Sequence, residues 1–103
     1  MGLSRRLEFH ALLKGILGSD FVYFQPNENT AIQYPCILYS RDNAYRAPAD
    51  NIGYRHVQRY VVTLINRDPD NPILDTVLEL PHASYSRGYA KDGLNHDAIS
   101  IYY

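Results

Sequence analysis

Apolar residues near the N-terminus recur at the spacing of one helix face. They are Phe9, Leu12, Leu13, Ile16 and Leu17. Residues at i, i+3, i+4, i+7 and i+8 lie on one side of an α-helix, so this spacing predicts an amphipathic helix. Ser4 stands where a capping side chain would begin the helix, and Gly18 stands where a left-handed residue would end it. We therefore expect a helix that packs one side against the rest of the domain.

Runs with the chemistry of β-strands follow this helix. Residues 21–25 are aromatic and β-branched and end at Pro26, while residues 36–39 form a continuous apolar run behind Pro35. Both runs predict strands, and the second is apolar enough to be covered on both faces. Residues 54–66 are the longest strand candidate, polar on both faces in the first half and apolar in the second.

The C-terminal third predicts a short helix and two more strands. After a turn rich in Asp, Asn and Pro, Asn71 is a good helix cap and Pro72 suits the first helical position. Residues 84–89 and 96–103 alternate like strands around a turn at Lys91–Gly93. The apolar positions of the short helix, which Pro81 should stop, are Ile73, Leu74, Val77, Leu78 and Leu80.

The order of these elements predicts an α+β fold. Strands follow one another without strict alternation with helices, which favours a mixed, mainly antiparallel sheet of about four to five strands with two helices on one face. A chain of 103 residues has room for one hydrophobic core. We therefore expect residues 1–103 to form a single domain.

The polar stretch Asp42–Gly53 predicts a projecting arm. It is too long for a tight hairpin turn, and the strand candidates on both sides become more polar towards it. Loops of this length in compact domains are usually functional or disordered. We therefore expect a β-hairpin that projects from the core and contacts a neighbouring subunit. Its candidate interface residues are Arg41, Tyr45, Arg46, Ile52, Tyr54, Arg55 and Arg59.

The composition agrees with a role in protein contacts. The chain has ten tyrosines, no tryptophan, and eight arginines against two lysines. Tyr and Arg are favoured at protein interfaces and Lys is depleted there. Tyrosine is also common in half-buried strands, whether or not they contact another protein. The tyrosines therefore fit either a contact surface or the strands alone, and both interpretations stay open. The net charge of −1 gives no general attraction to nucleic acid or to a membrane surface.

Residues that could carry chemistry are few. The four histidines show no zinc-ligand spacing, and Asp68 and Asp70 begin a calcium-loop pattern that Pro72 interrupts. The single cysteine, Cys36, lies in the most apolar run, where thiols are usually inert. A small hydrolase that uses Cys36 or His96 is one alternative. We expect no catalytic residue, no metal and no cofactor, and therefore no enzyme.

The sequence predicts neither a membrane span nor a signal peptide. No segment approaches the length of a membrane span, and the first residues have no apolar run long enough for a signal peptide. We expect a protein that is made in a reducing cytoplasm and makes no membrane contact.

Three segments resemble the small tail-completion proteins of long-tailed bacteriophages. They are Tyr34–Tyr39, the stretch Tyr60–Ile65 that runs into Asp68–Ile73, and Leu94–Asp97 before the tyrosine-ended last strand. The resemblance spans about Phe21 to Tyr103. The expected order of elements is also similar to that of tail terminator and head–tail joining subunits.

The resemblance implies a structural virion protein of the tail and neck, assembled in the host cytoplasm. Such subunits form hexameric rings on the last ring of tail tube protein, stop its growth, and present a surface to the head-side connector or stopper protein. DNA only passes through the lumen. Alternatives are a head-closure or adaptor neck protein and a small cytosolic α+β binding module. Deleting Asp42–Gly53 should leave a folded monomer that no longer forms rings.

Overall fold

The computed structural model describes residues 3–42 and 58–103. Within them, the elements are α1 (Leu3–Leu17), β1 (Val22–Phe24), β2 (Cys36–Arg41), β3 (Arg59–Asn66), α2 (Leu74–Leu78), β4 (Ala83–Lys91) and β5 (Leu94–Tyr102). The two helices accompany one five-stranded sheet with the strand order β1-β2-β3-β5-β4. Strands β1 and β2 are parallel and every other neighbouring pair is antiparallel, so the predicted α+β fold with a mixed, mainly antiparallel sheet is confirmed.

Both helices pack against the same face of the sheet, which we call the helix-covered face. Phe9 and Leu13 of α1 and Val77 of α2 are fully buried in one core with the strands. The other apolar positions predicted for the two helices pack partly buried against this core. The strand residues of the core on this face are Val22, Ile37, Tyr39, Tyr60, Val62, Leu64, Ile99 and Ile101.

The ends of α1 separate one correct prediction from one wrong one. Gly18 has φ +81°, and its N–H donates to the Lys14 carbonyl at 2.8 Å. This left-handed glycine ends the helix as expected, because a residue without a Cβ adopts that conformation without strain. The helix begins at Leu3, however, so Ser4 lies within the first helical turn and not at the position before the helix.

Local side chains shape the segment between β3 and α2. Asn66 Oδ1 accepts the N–H of Asp68 at 3.0 Å, and Asp68 Oδ1 accepts the N–H of Asp70 at 2.9 Å. Asn71 Oδ1 then accepts the N–H of Ile73 at 3.2 Å, as a capping side chain does, although regular helix starts only at Leu74. Asp and Asn serve here to form consecutive turns.

Strands β4 and β5 form a hairpin with a two-residue turn. Asp92 and Gly93 have φ +56° and +77°, the sign that a type I′ turn requires at both positions. A bulge between Tyr85 and Arg87 shifts the register. Tyr85 therefore lies on the helix-covered face, whereas Arg87 and Tyr89 lie on the opposite face. The simple alternation expected for this strand is wrong, since a bulge reverses the faces beyond it.

The predicted projecting hairpin lies mainly outside the described residues, which omit positions 43–57. Strand β2 ends at Arg41 and β3 begins at Arg59, so both leave the sheet at the same end. A hairpin that projects from this end stays a prediction.

Burial within α1 gives a direct test of the core. We expect Leu13→Ala to lower the free energy of unfolding by about 2–5 kcal/mol, because it leaves a cavity in a fully buried site. The matched control is Leu7→Ala in the same helix, where half-exposed Leu7 should cost no more than about 0.5 kcal/mol. Urea unfolding measures both, and equal losses would contradict the packing of α1.

Candidate functional site

Aromatic rings form a continuous row between α1 and the helix-covered face. The ring centroids are 4.9 Å apart for Tyr103–Phe9, 4.8 Å for Phe9–Tyr60, 5.8 Å for Tyr60–Tyr39 and 4.9 Å for Tyr39–Phe24. All four separations lie in the range of favourable ring contacts. The row therefore ties α1 to β1, β2 and β3 and to the C-terminal residue.

Arginines lie against the two ends of this row. The guanidinium carbon of Arg5 is 4.5 Å from the ring centroid of Tyr103. At the other end, those of Arg6 and Arg41 are 4.3 Å and 5.0 Å from the centroid of Phe24. Such cation–π contacts hold a guanidinium in a defined place. We call this set the arginine–aromatic cluster: Arg5, Arg6, Phe9, Phe24, Tyr39, Arg41, Tyr60 and Tyr103.

Strand register brings the cluster together at one end of the sheet. Phe24 pairs with Tyr39 across β1 and β2, and Arg41 pairs with Tyr60 across β2 and β3. Because alternate strand residues share a face, all four point to the face that α1 covers. The N-terminal turns of α1 then supply the remaining two arginines at the same end.

Two arginines of the cluster have no carboxylate partner among the described residues. Within residues 5–42 and 58–103, Arg6 and Arg41 take part in no salt bridge, and both are only partly exposed. Arg5 lies 3.7 Å from Glu8. Arg6 Nη1 donates one weak hydrogen bond of 3.4 Å to the Tyr39 hydroxyl. Within the described residues, no carboxylate therefore uses the guanidinium donors of Arg6 and Arg41.

His10 completes a hydrogen-bonded chain beside the cluster. Its Nδ1 lies 2.7 Å from the Tyr39 hydroxyl, which accepts the bond from Arg6. We assign the tyrosine as donor to a neutral His10. Partial burial lowers the pKa of His10, and the charges of Lys14 and Arg6 lower it further. Burial also raises the pKa of Tyr39, against the opposing effect of Arg6.

The predicted interface residues fall into three groups. Arg41 lies in the arginine–aromatic cluster. Arg59 lies on the opposite face of the sheet, with its Nε 3.5 Å from the Asp42 carboxylate and its Nη2 donating to Ser100 Oγ at 3.1 Å. Five others are outside the described residues, and they are Tyr45, Arg46, Ile52, Tyr54 and Arg55.

The hydrolase alternative finds little support in the geometry. Cys36 is 1% exposed, and burial raises the pKa of its thiol to about 11, so it is protonated at neutral pH. Ile65 lies between Cys36 and His96 in the strand register. The His96 ring stacks on Tyr89 with centroids 4.6 Å apart. The described thiol and imidazole are therefore not arranged as a nucleophile and its base.

The described residues contain neither a candidate metal site nor a helix that could span a membrane. Among the described residues, no group of three or more His, Cys, Asp or Glu side chains could hold a metal ion. No helix in residues 3–42 or 58–103 has the length and hydropathy to cross a membrane.

An open groove of about 370 Å³ lies on the opposite face of the sheet. Only neutral side chains line the groove, so it presents no charged group to a ligand. A small-molecule site normally combines an apolar pocket with a few convergent polar groups. The groove therefore favours the binding-module alternative only weakly. Its lining residues are Gln25, Pro26, Leu38, Tyr39, Ser40, Val61 and Thr63.

No protein-family model, no curated protein and no solved structure matches this chain.

The position of His10 gives a pH test of the cluster. The folded state disfavours protonated His10, so the pKa of His10 is lower in the folded than in the unfolded protein. The stability that neutral His10 contributes is therefore fully present above the ordinary histidine pKa of 6.5 and is lost as pH falls through the lowered pKa. We expect His10→Gln to remove this component. Urea unfolding of both proteins at about pH 8 and about pH 5 measures it. A stability difference between wild type and variant that does not change with pH would contradict the assignment.

Proposed function

We propose that this chain is a structural subunit of a long-tailed bacteriophage. In this proposal, copies assemble into a ring where tail meets head, end the growth of the tail tube and receive the head-side connector. Two observations support it: the resemblance of three segments to tail-completion proteins, and the arginine–aromatic cluster at the end of the sheet where the predicted arm begins. The cluster carries the physical part of the proposal.

The observation that carries the proposal is the placement of Arg6 and Arg41. Both guanidinium groups lie against Phe24, and neither has a carboxylate partner in the described residues. The aromatic ring of Phe24 already restricts both arginine side chains. A partner that binds these guanidinium groups therefore has less side-chain entropy to remove. Fixed Arg and Tyr side chains are also the residues that dominate binding energy at protein interfaces.

The N-terminus of α1 adds a second argument. Arg5 and Arg6 lie near the positive end of the helix dipole, where cations are unfavourable, and the first turn holds no acidic residue. The Phe24 and Tyr103 rings offset part of this cost. Departures from a local rule are expected at functional sites, so the arginines fit a role outside the folding of the monomer.

Ring formation also fits a chain of this size. A domain of 103 residues has a modest stability of its own, and contacts with neighbours add to it by mass action. A closed ring needs two different surfaces on each subunit. The arginine–aromatic cluster serves as one of them in this proposal.

The head-closure or adaptor alternative differs from the proposal in its partner, and the binding-module alternative differs in its surface. A head-closure or adaptor subunit would use the same kind of contact but would bind the head and not the tail tube. A binding module would stay monomeric and take a ligand, for which the neutral groove on the opposite face is the candidate site.

Electron microscopy of phage tails tests the assignment. We expect tails made without this protein to be overlong or headless, because nothing ends the tube or receives the connector. Purified wild-type protein added to such tails should restore their joining to heads. Tails of normal length that carry heads in the absence of the protein would contradict the proposal.

The predicted arm can be tested separately. We expect deletion of Asp42–Gly53 to give a folded monomer that no longer forms rings. Circular dichroism reports folding, and analytical ultracentrifugation and negative-stain microscopy report assembly. The control is Arg87→Ala in β4, which should assemble like the wild type. Intact rings from the shortened protein would show that the arm is dispensable.

A further inference from the structure

We propose that the arginine–aromatic cluster of one copy binds the acidic segment 68–75 of the next copy. This inference rests on the proposed self-assembly and adds the partner surface. Each contact would then join two different surfaces, and every subunit would carry both.

The acidic segment presents carboxylates without cationic partners. Asp68, Asp70 and Asp75 are exposed, and none of them forms a salt bridge within the described residues. Residues 68–75 contain no Lys or Arg, and Arg67 immediately precedes them. The segment therefore carries a surplus of negative charge, just as the arginine–aromatic cluster carries a surplus of positive charge.

The acidic segment is held in shape before any partner arrives. The Asn66 and Asp68 side chains form consecutive turns with the backbone that follows them. Asn95 Nδ2 on β5 donates to the Arg67 carbonyl at 3.1 Å and anchors the segment to the sheet. A fixed loop loses little entropy on binding, which favours a defined contact.

The two surfaces lie at opposite ends of β3. Arg41 pairs with Tyr60 near its first residue, and the acidic segment follows Asn66, its last. Eight strand residues separate the ends by about 23 Å. The surfaces cannot meet within one copy, but they can meet between copies arranged head to tail. Repetition of such a contact closes a ring when the rotation from one copy to the next divides a full turn evenly.

The charge distribution favours a second copy over nucleic acid as the partner. The net charge is −1, and the three arginines of the cluster are matched in number by the three aspartates of the segment 68–75. A phosphate backbone would attract one end and repel the other. A second copy satisfies both ends with the same contact.

Charge reversal at each end, followed by mixing, tests the inference. The first variant is Arg6→Glu with Arg41→Glu. The second is Asp70→Arg with Asp75→Arg, which keeps the Asp68 carboxylate that shapes the loop. The control is Arg87→Glu with Lys91→Glu, which changes the net charge as much as the first variant but lies on exposed β4. Sedimentation velocity at low and high salt measures assembly.

We expect each reversed variant alone to show a dissociation constant for self-assembly raised about tenfold or more, while the control assembles like the wild type. An equimolar mixture of the two variants should recover assembly. The intact acidic end of one variant meets the intact arginine end of the other, and the two reversed ends, which meet at the alternate contacts, also carry opposite charges. Recovery on mixing also proves that both variants are folded. Wild-type assembly should weaken as salt rises.

The contrary outcomes are distinct. The inference is overturned if the double variant Asp70→Arg with Asp75→Arg assembles as well as the wild type, or if the mixture of the two variants stays monomeric. Either result leaves the proposal of ring assembly standing. A wild type that stays monomeric at every concentration and on tails would overturn both. Retention of double-stranded DNA by the monomeric wild type, lost in Arg6→Glu with Arg41→Glu, would assign the arginines to phosphate instead.

Discussion

The row of aromatic rings from Tyr103 to Phe24 is the interaction on which the rest of the structure depends. Phe9 stacks on Tyr60 and Tyr103 and meets Tyr39 edge to face, so one helical residue contacts rings from β2, β3 and the C-terminal residue. Ring pairs of this kind are worth roughly 0.5–1.5 kcal/mol each beyond the apolar area that they bury. The same rings position the arginines, which links the stability of the core to the properties of its surface.

Much of the fold follows from local sequence patterns. The spacing of Phe9, Leu13 and their neighbours indicates α1 because a helix places such residues on one side, and the structure buries that side. Gly18 and Asp92-Gly93 mark their turns because left-handed backbone favours these residues. These features depend on a few adjacent residues, so the sequence alone is enough to find them.

The candidate site depends on pairings that the sequence does not display. Arg6 reaches Phe24 only because the short β1 pairs in parallel with β2 after a long connection, and no local pattern specifies that register. The bulge that separates Tyr85 from Arg87 is equally hidden, since its residues read as a regular strand. Of the described interface candidates, Arg41 joins the cluster and Arg59 turns to the other face with Asp42. Of the members of the arginine–aromatic cluster, the sequence therefore predicted Arg41 but not Arg5, Arg6 or the rings that hold them.

A high-resolution structure of the assembled particle tests the central claim most directly. The account predicts that the guanidinium groups of Arg6 and Arg41 lie within about 4 Å of carboxylate oxygens from the segment 68–75 of a neighbouring copy. An assembled particle in which both guanidinium groups face solvent, while the subunits meet through other surfaces, would contradict it.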